Sequence, residues 1–399
     1  MQDIQSIKAE YPFTTISREL WLLLACADRD EVKAQALAAQ LINWDIFIEM
    51  AVHHRVYPLA YQTLSSLAEQ VVPARVLDYL QKKYQANAWQ AMRMAGETVR
   101  VVKLLTNDGI HTAVLKGGVL AMRLYGDLAA RPSRDIDLLV RADDLKKADG
   151  LLLRLGYRRD HPDYPMTPKR WQICLQNNRH FSYVHQKTGI YLELHWQIGQ
   201  VGMELPHAAE NAAETVEIAS YRVPVFAAEE WFLFLVQHGA SHSWFRLRWL
   251  CDIAAFMRQG DRLDWAKVVV LAECYDMCRL LQQALILTNL LLDIPIPRLF
   301  SPILSANATG LHLAELAVPF FRATYDVSTV KISQKLYYWQ KAYQFQLRTG
   351  WRNKMQYTLL HFGATEDDIL RFPLPDCLYW LYYLIRPFIW LERRLKRGD

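Results

Sequence analysis

Two acids stand one residue apart in the stretch Arg131-Pro-Ser-Arg-Asp-Ile-Asp-Leu-Leu-Val140. The apolar residues around them are typical of a buried β-strand. Successive side chains of a strand point to opposite faces, so Asp135 and Asp137 share one face while their apolar neighbours share the other. The pattern therefore predicts a strand that presents two carboxylates side by side.

Such a pair of carboxylates needs a counter-charge. Two like charges held this close repel each other, and burial increases the cost unless a cation lies between them. The simplest such cation is Mg²⁺, which binds one or two carboxylates together with phosphate oxygens and water. The alternative is an exposed edge strand with two solvated acids, but the flanking sequence favours the metal.

A glycine turn precedes this strand, in His111-Thr-Ala-Val-Leu-Lys-Gly-Gly118. We expect a short strand, a tight turn over Lys116, Gly117 and Gly118, and a helix from about Val119. Glycines allow backbone amides to approach a ligand, and the helix N-terminus favours an anion. The turn therefore predicts a phosphate-binding site, although most Gly-Gly pairs are only turns and the Walker A spacing is absent.

A third acid lies in the second strand of a predicted hairpin. The strands His180–Gln186 and Ile190–Trp196 flank Lys187-Thr-Gly189, a three-residue loop that contains glycine. Glu193 is the one carboxylate of the second strand, where it is available to the acidic strand. A surface residue on an edge strand is the alternative interpretation.

These motifs together resemble the nucleotidyltransferase superfamily of DNA polymerase β-type enzymes. Three strings, Leu115-Lys-Gly-Gly-Val-Leu120, Arg134-Asp-Ile-Asp-Leu-Leu-Val140 and Leu192-Glu-Leu-His-Trp196, are similar to a bacterial group of uncharacterised nucleotidyltransferase family proteins. Members of that group are often associated with peptide or polysaccharide biosynthetic clusters. The resemblance runs roughly from Trp44 to Phe256.

The resemblance implies a function and a set of site residues. It implies Mg²⁺-dependent transfer of a nucleotidyl group from an NTP to an unidentified hydroxyl or phosphate acceptor, with Mn²⁺ as an alternative metal. The implied catalytic and metal-binding residues are Asp135, Asp137 and Glu193. The implied phosphate- or nucleotide-binding residues are Lys116, Gly117, Gly118, Arg131, Arg134, His238 and His242. There are two alternatives. One is transfer of a phosphoryl or pyrophosphoryl group at the same site, and the other is a catalytically retired nucleotide-binding scaffold.

The sequence departs from the wider superfamily at two of these positions. Many members carry serine where this chain has Gly118, so phosphate contact would fall to backbone amides and Lys116. The third carboxylate is Glu193 where aspartate is common, which puts the metal geometry in doubt.

Two histidines, His238 and His242, share a face of a predicted helix because they are four residues apart. They fit a structural pair, a zinc-ligand spacing with no obvious third ligand, or, by the resemblance, a contact with nucleotide or acceptor. Asp252 is close enough in sequence to orient one of them. Arg246 and Arg248 are candidates for the same cleft.

Composition indicates a globular enzyme of the cytoplasm. The chain has 399 residues, is 52% hydrophobic and carries a net charge of +5, which is too small for a dedicated nucleic-acid binder. The polar start, Met1–Gln5, does not resemble a signal peptide. The six cysteines include no Cys-x-x-Cys pair, which favours reduced thiols.

The predicted fold class is α+β and mostly helical, with a small mixed-sheet nucleotidyltransferase core between helical regions. We place a helical N-terminal region at 1–95, the core at 96–202 and a helical C-terminal domain at 203–399. Among the predicted helices are about Ala86–Asn107, Ala142–Leu155, Glu229–Ser243 and Leu247–Gln259.

The C-terminal tail is apolar and then basic. Its longest apolar run, Cys377–Ile385, has nine residues, far short of the ~20 that a membrane span needs. The run is interrupted at Arg386-Pro387, and the chain ends in a basic segment, Glu392–Arg397. A helix that docks on the C-terminal domain and a peripheral membrane contact are both open.

Overall fold

The computed structural model describes most of the chain between residues 16 and 396. The described ranges are 16–68, 71–200, 203–205, 214–260, 263–305, 309–321, 334–360 and 366–396. Helices dominate these ranges around one small mixed sheet, so the predicted α+β, mostly helical fold is confirmed. The polar start at Met1–Gln5, the boundary near Gly202 and the basic residue Arg397 lie outside the described residues.

The described part of the N-terminal region, residues 16–68 and 71–95, is mostly helical, as predicted. Its helices are α1 Arg18–Asp28, α2 Glu31–Ala38, α3 Trp44–His53, α4 Tyr57–Ser65 and α5 Ala74–Asn107. Side chains cap the first turns: the Ser17 hydroxyl accepts from the Leu20 amide at the start of α1, and Asn43 caps α3 in the same way.

Helix α5 is longer than predicted, since it begins at Ala74 and not near Ala86. Half of the residues at positions 74–85 are polar, but this first third of the helix contains no glycine or proline. It buries Val76 and Leu80 where it packs against α4. The helix also runs without interruption through residue 95. A domain boundary near that residue stays a prediction.

The sheet joins five strands: β1 Thr112–Val114, β2 Asp135–Val140, β3 Tyr157–His161, β4 His180–His185 and β5 Tyr191–His195. Their spatial order is β1-β2-β5-β4-β3. Strand β5 pairs in parallel with β2 and antiparallel with β4, so the predicted hairpin places its second strand directly beside the acidic strand. The remaining pairs, β1·β2 and β3·β4, are antiparallel.

Helices connect these strands. They are α6 Gly118–Tyr125, α7 Leu145–Arg154 and α8 Pro168–Asn177. The helix predicted over Ala142–Leu155 is divided, because Ala142–Asp144 forms a 3₁₀ turn before α7 begins. Such a turn is common at the start of an α-helix.

The described residues after 203 are mostly helical, except near the start of this region. Short strands β6 Ile198–Gln200 and β7 Met203–Leu205 pair with each other, and β8 Glu214–Ile218 and β9 Tyr221–Val225 form a hairpin. This second hairpin was not predicted from the sequence. Val223 and Val225 are buried in alternation, and β9 packs beside β1.

The helices of the C-terminal region follow in sequence. They are α9 Ala228–Ser241, α10 Leu247–Arg258, α11 Trp265–Cys274, α12 Cys278–Leu292, α13 Ser301–Ser305, α14 Thr309–Phe321, α15 Gln334–Gln346, α16 Gly350–Leu360, α17 Glu366–Arg371 and α18 Leu381–Lys396. The first two agree with prediction to within two residues at each end. In the described part of the chain, no helix combines the length and hydrophobicity that crossing a membrane requires.

One buried contact fixes the C-terminal region to the sheet. The indole of Trp231, on α9, is fully buried and donates a 2.7 Å hydrogen bond to the backbone carbonyl of Leu115. Leu115 is the residue between β1 and the glycine turn, and its amide donates to the Asp137 carbonyl at 3.0 Å. Helix α9 is therefore held against the acidic edge of the sheet.

Candidate active site

The parallel pairing of β2 with β5 brings the predicted acids together. Asp137 is the register partner of Glu193, and Asp135 is the partner of Tyr191. Partners in adjacent strands point to the same face, so the three carboxylates lie on one side of the sheet. Asp137 is deeply buried, with 1% of its side chain exposed, whereas Glu193 retains 28%.

The glycine turn lies beside these acids. Gly117 has φ +78° and ψ −141°, a backbone conformation that residues with a Cβ rarely adopt. This conformation ends β1 and starts α6 at Gly118, one residue earlier than predicted. It also directs Lys116 toward the acids, where its ammonium lies 3.0 Å from Asp137 Oδ1.

His195 is a central residue of the site that was not predicted from the sequence. Its Nε2 lies 3.3 Å from Asp137 Oδ1 and 3.2 Å from Glu193 Oε2, so one imidazole bridges two of the predicted carboxylates. The strand pattern contained the signal, because residues 193 and 195 share a face. Sequence alone could not show that the neighbouring strand carries Asp137 at the same level.

The charges of this cluster shift its pKa values in opposite directions. Burial favours the neutral form of Asp137, but Lys116 and His195 outweigh it and hold the pKa of Asp137 well below its usual range. Burial likewise opposes the charged form of His195, yet its bonds to Asp137 and Glu193 raise the pKa of the imidazole. Burial and the charge of Asp137 raise the pKa of Asp135.

A cavity of about 470 Å³ opens above the acids. Its cationic lining residues come from distant parts of the chain: Arg55, Lys116, Arg134, Arg179, Arg246 and Arg248. Asp135 and Glu193 are the acids that line it. A cavity in which cations outnumber acids in this way favours a polyanionic ligand.

Most of the predicted residues meet at this cavity. Lining residues include Lys116, Arg134, Asp135, Glu193, His238 and His242. Asp137 lies beneath them, in contact with Lys116 and His195. Gly117 and Gly118 form the adjoining turn and helix start.

Arg131 does not line this cavity. Its side chain is buried and its Nε lies 3.0 Å from both carboxylate oxygens of Asp252, which also accepts from the Tyr125 hydroxyl at 3.2 Å. Among the described residues, Asp252 therefore binds Arg131 and Tyr125, and it does not orient His238 or His242. The pair joins the segment before β2 to α10.

Aromatic rings form one wall of the cavity. His238 and His242 lie with ring centroids 4.6 Å apart, and His242 stacks on Trp249 at 5.1 Å with an interplanar angle of 26°. Phe234 and Phe245 line the same wall. Partial desolvation in the cleft and the charge of Lys116 lower the pKa of His242 to about 4, so this ring is neutral at pH 7.

The loop that carries this wall has an uncommon backbone. Ser243 and Trp244 both have φ near +55°, which non-glycine residues adopt rarely. Trp244 is fully buried, and a Cβ at Gly239 would overlap its indole. Glycine at 239 therefore lets the tryptophan pack under the loop that leads to Phe245 and Arg246.

The donor set suits a divalent cation. Asp137 Oδ2 is buried without a hydrogen-bond partner in the described part of the chain, which is costly for a carboxylate unless a cation satisfies it. Within the described residues, one group of three metal-ligand side chains approaches to within 4.8 Å, namely His180, Glu193 and His195. This group shares Glu193 with the predicted acids but adds two imidazoles.

Comparison with known proteins identifies a family for this chain. The sequence model of the family described as uncharacterised nucleotidyltransferase matches residues 40–293, well over half of the chain. The protein belongs to this family and is a nucleotidyltransferase, so the predicted family and enzyme class are confirmed. A search of curated proteins found no match.

Proposed function

We propose that this protein transfers a nucleotidyl group from an NTP to a hydroxyl or phosphate acceptor, with Mg²⁺ as its metal and Mn²⁺ as an alternative. The observation that carries the proposal is the position of Asp135, Asp137 and Glu193 on one sheet face, beneath a cavity lined by six cations. The acids suit metal ions, and the cations suit a triphosphate.

Asp135, Asp137 and Glu193 would hold the metal. When bound, divalent ions in such sites neutralise phosphate charge and lower the pKa of an acceptor hydroxyl. The low pKa of Asp137 supports this role because its carboxylate stays ionised at neutral pH. The buried, unpartnered Oδ2 supports it as well.

The phosphates would be bound by cations at the mouth of the cavity. Lys116 lies at the glycine turn, where backbone amides of Gly117 and Gly118 offer further donors. Arg248 lines the cavity, and its Nε is buried with no partner among the described residues. A guanidinium stays protonated in proteins, so this group favours an anionic ligand. Arg134 is exposed on the same rim.

The acceptor would attack the α-phosphorus of the NTP. A bond forms from the acceptor oxygen to that phosphorus, the bond to the bridging oxygen breaks, and pyrophosphate leaves. Glu193 lines the cavity and keeps 28% of its side chain exposed, so it would either ligate a metal or instead accept the acceptor proton. The aromatic wall of Phe245, His242 and Trp249 would stack against the nucleobase or the acceptor.

Two other reactions or roles use the same residues. In phosphoryl transfer the acceptor attacks the γ-phosphorus, and in pyrophosphoryl transfer it attacks the β-phosphorus. Neither the acids nor the cations determine which phosphorus is attacked. A retired scaffold would bind nucleotide without turnover. The presence of all three acids favours an enzyme, because a scaffold would have no need of them.

The reaction products separate these possibilities. The protein is incubated with an NTP, Mg²⁺ and pooled small-molecule, peptide and glycan-precursor acceptors, and the phosphorus products are followed by ³¹P NMR. We expect pyrophosphate to be released. Release of a nucleoside diphosphate would instead support phosphoryl transfer. Release of a nucleoside monophosphate would support pyrophosphoryl transfer. Tight NTP binding without any product would support the scaffold.

We also propose a cytoplasmic enzyme whose tail contacts a membrane surface, where lipid-linked peptide or polysaccharide precursors would be accessible. One side of the tail docks on the protein through Tyr379 and Tyr382. Large side chains on the other side are exposed: Trp380 at 57%, Tyr383 at 53%, Leu384 at 59% and Phe388 at 72%. Exposed aromatics on one helix face suit a lipid interface.

Vesicle sedimentation tests this contact. Anionic phosphatidylglycerol vesicles should sediment the wild-type protein, and Leu384→Ser/Phe388→Ser should remain in solution. A matched control, Val32→Ser/Leu41→Ser, removes equally exposed apolar residues from the N-terminal region and should sediment with the wild type. Failure of the wild type to sediment would refute the contact.

A further inference from the structure

Two histidines lie at the predicted metal site in addition to the acids. His180 and His195 are register partners on the antiparallel strands β4 and β5, and their ring centroids lie 4.8 Å apart. Glu193 is two residues from His195 on β5, so all three side chains point to the same face of the sheet.

The two oxygens of Glu193 each face a different imidazole. His180 Nε2 lies 3.8 Å from Oε1, and His195 Nε2 lies 3.2 Å from Oε2. All three ligand atoms lie within 4.8 Å of one another. Ligands at about 2.1 Å from one ion are separated by about 3 to 4 Å, so small side-chain adjustments bring this group to ligand distance.

A fourth donor lies beside them. Asp137 Oδ1 is 3.3 Å from His195 Nε2, and Asp137 Oδ2 is buried without a partner in the described chain. Two imidazole nitrogens and two carboxylates make a mixed nitrogen and oxygen donor set. Mg²⁺ prefers oxygen alone, whereas imidazole nitrogen suits transition-metal dications.

We propose that His180, Glu193 and His195 form a transition-metal site within the cavity, which binds ions such as Mn²⁺, Co²⁺ or Zn²⁺ in preference to Mg²⁺. This site deepens the proposed function by adding two further ligands and by favouring Mn²⁺, the alternative metal named there, over Mg²⁺. The proposed site rests on the proposed function only for what the bound metal does. Metal binding itself is measured without nucleotide and is therefore tested independently.

Pulsed electron paramagnetic resonance of the wild-type protein with Mn²⁺ tests the ligands directly. We expect one tightly bound Mn²⁺ per chain with nitrogen couplings typical of imidazole, and competition should show Mg²⁺ to bind at least about tenfold more weakly. Bound Mn²⁺ without imidazole coupling, or equal affinity for Mg²⁺, would overturn the proposal. This experiment needs no substitution, so it stands even where a variant fails to fold.

Variants test which histidines contribute. His180→Asn and His195→Asn should each weaken Mn²⁺ binding by about 10- to 100-fold and remove one of the two imidazole couplings. His111→Asn, at an exposed histidine that does not line the cavity, should bind as the wild type does. Unchanged Mn²⁺ affinity in both folded site variants would contradict the assignment. NTP binding, measured separately, reports on the proposed function.

Discussion

Asp137 and Glu193 are register partners on the parallel strands β2 and β5, and His195 Nε2 lies within 3.3 Å of an oxygen of each. The sheet itself therefore sets the separation of these two acids, because neither depends on a flexible loop. Sites built on strands hold their side chains more firmly than sites on loops.

Replacement of Lys116 tests the phosphate-binding turn. Lys116→Met should weaken NTP binding by about 10- to 100-fold, since a charge-assisted hydrogen bond contributes about 1.5–3 kcal/mol. Isothermal titration calorimetry measures the change. Lys187→Met, in the exposed hairpin loop, is the matched control and should bind normally. Equal affinity in both variants would show that Lys116 serves only as a partner of Asp137.

The buried pair Arg131–Asp252 should act on stability. Arg131→Leu leaves Asp252 buried without its cation, and we expect a loss of about 3–5 kcal/mol in the free energy of unfolding. The double variant Arg131→Leu/Asp252→Leu should recover part of that loss. Urea denaturation measures all three proteins. A large loss of NTP affinity in a fully stable Arg131→Leu protein would instead support the phosphate contact we first assigned to Arg131.

Gly239 should tolerate no side chain. Gly239→Ala places a methyl group against the indole of Trp244, which would displace the loop of Phe245 and Arg246 and lower stability by about 1–3 kcal/mol. Gly96→Ala is the matched control, because it lies in α5 with open space around it and should gain about 0.5–1 kcal/mol. Thermal unfolding compares the two variants. Equal melting temperatures would contradict the packing described for Trp244.

The charge of His195 should give a pH dependence to stability. The folded protein raises the pKa of His195 above its ordinary 6.5. The protonated imidazole therefore stabilises the fold fully below pH 6.5, and this stabilisation is lost as the pH rises through the raised pKa. In the presence of a chelator, the free energy of unfolding should fall across that window. His195→Gln should lack this fall, and His111→Gln should keep it. A wild-type profile identical to that of His195→Gln would refute the bridge to Asp137 and Glu193.

The sequence predicted the acids because strand periodicity is local. Asp135 and Asp137 share a face wherever the strand lies, and the same reasoning placed Glu193 on one face of β5. The parallel pairing of those strands is a long-range contact that one sequence does not encode in any local pattern. His195 was missed for this reason.

The cationic lining was only partly predictable. Lys116 and Arg134 are adjacent in sequence to recognisable motifs, but Arg179 comes from a segment with no motif of its own. Arg131 shows the opposite case. Its place beside the acidic strand suggested a phosphate contact, whereas tertiary packing pairs it with Asp252 on α10.

The most direct test of the proposed site is calorimetric binding of ATP, GTP, CTP and UTP with Mg²⁺. We expect one NTP to bind the wild-type protein tightly. The double variant Asp135→Ala/Asp137→Ala should not bind this NTP. Asp143→Ala/Asp144→Ala removes two neighbouring acids from the 3₁₀ turn before α7 and should bind normally. Failure of the folded wild type to bind any NTP, or equal binding by both double variants, would contradict the account.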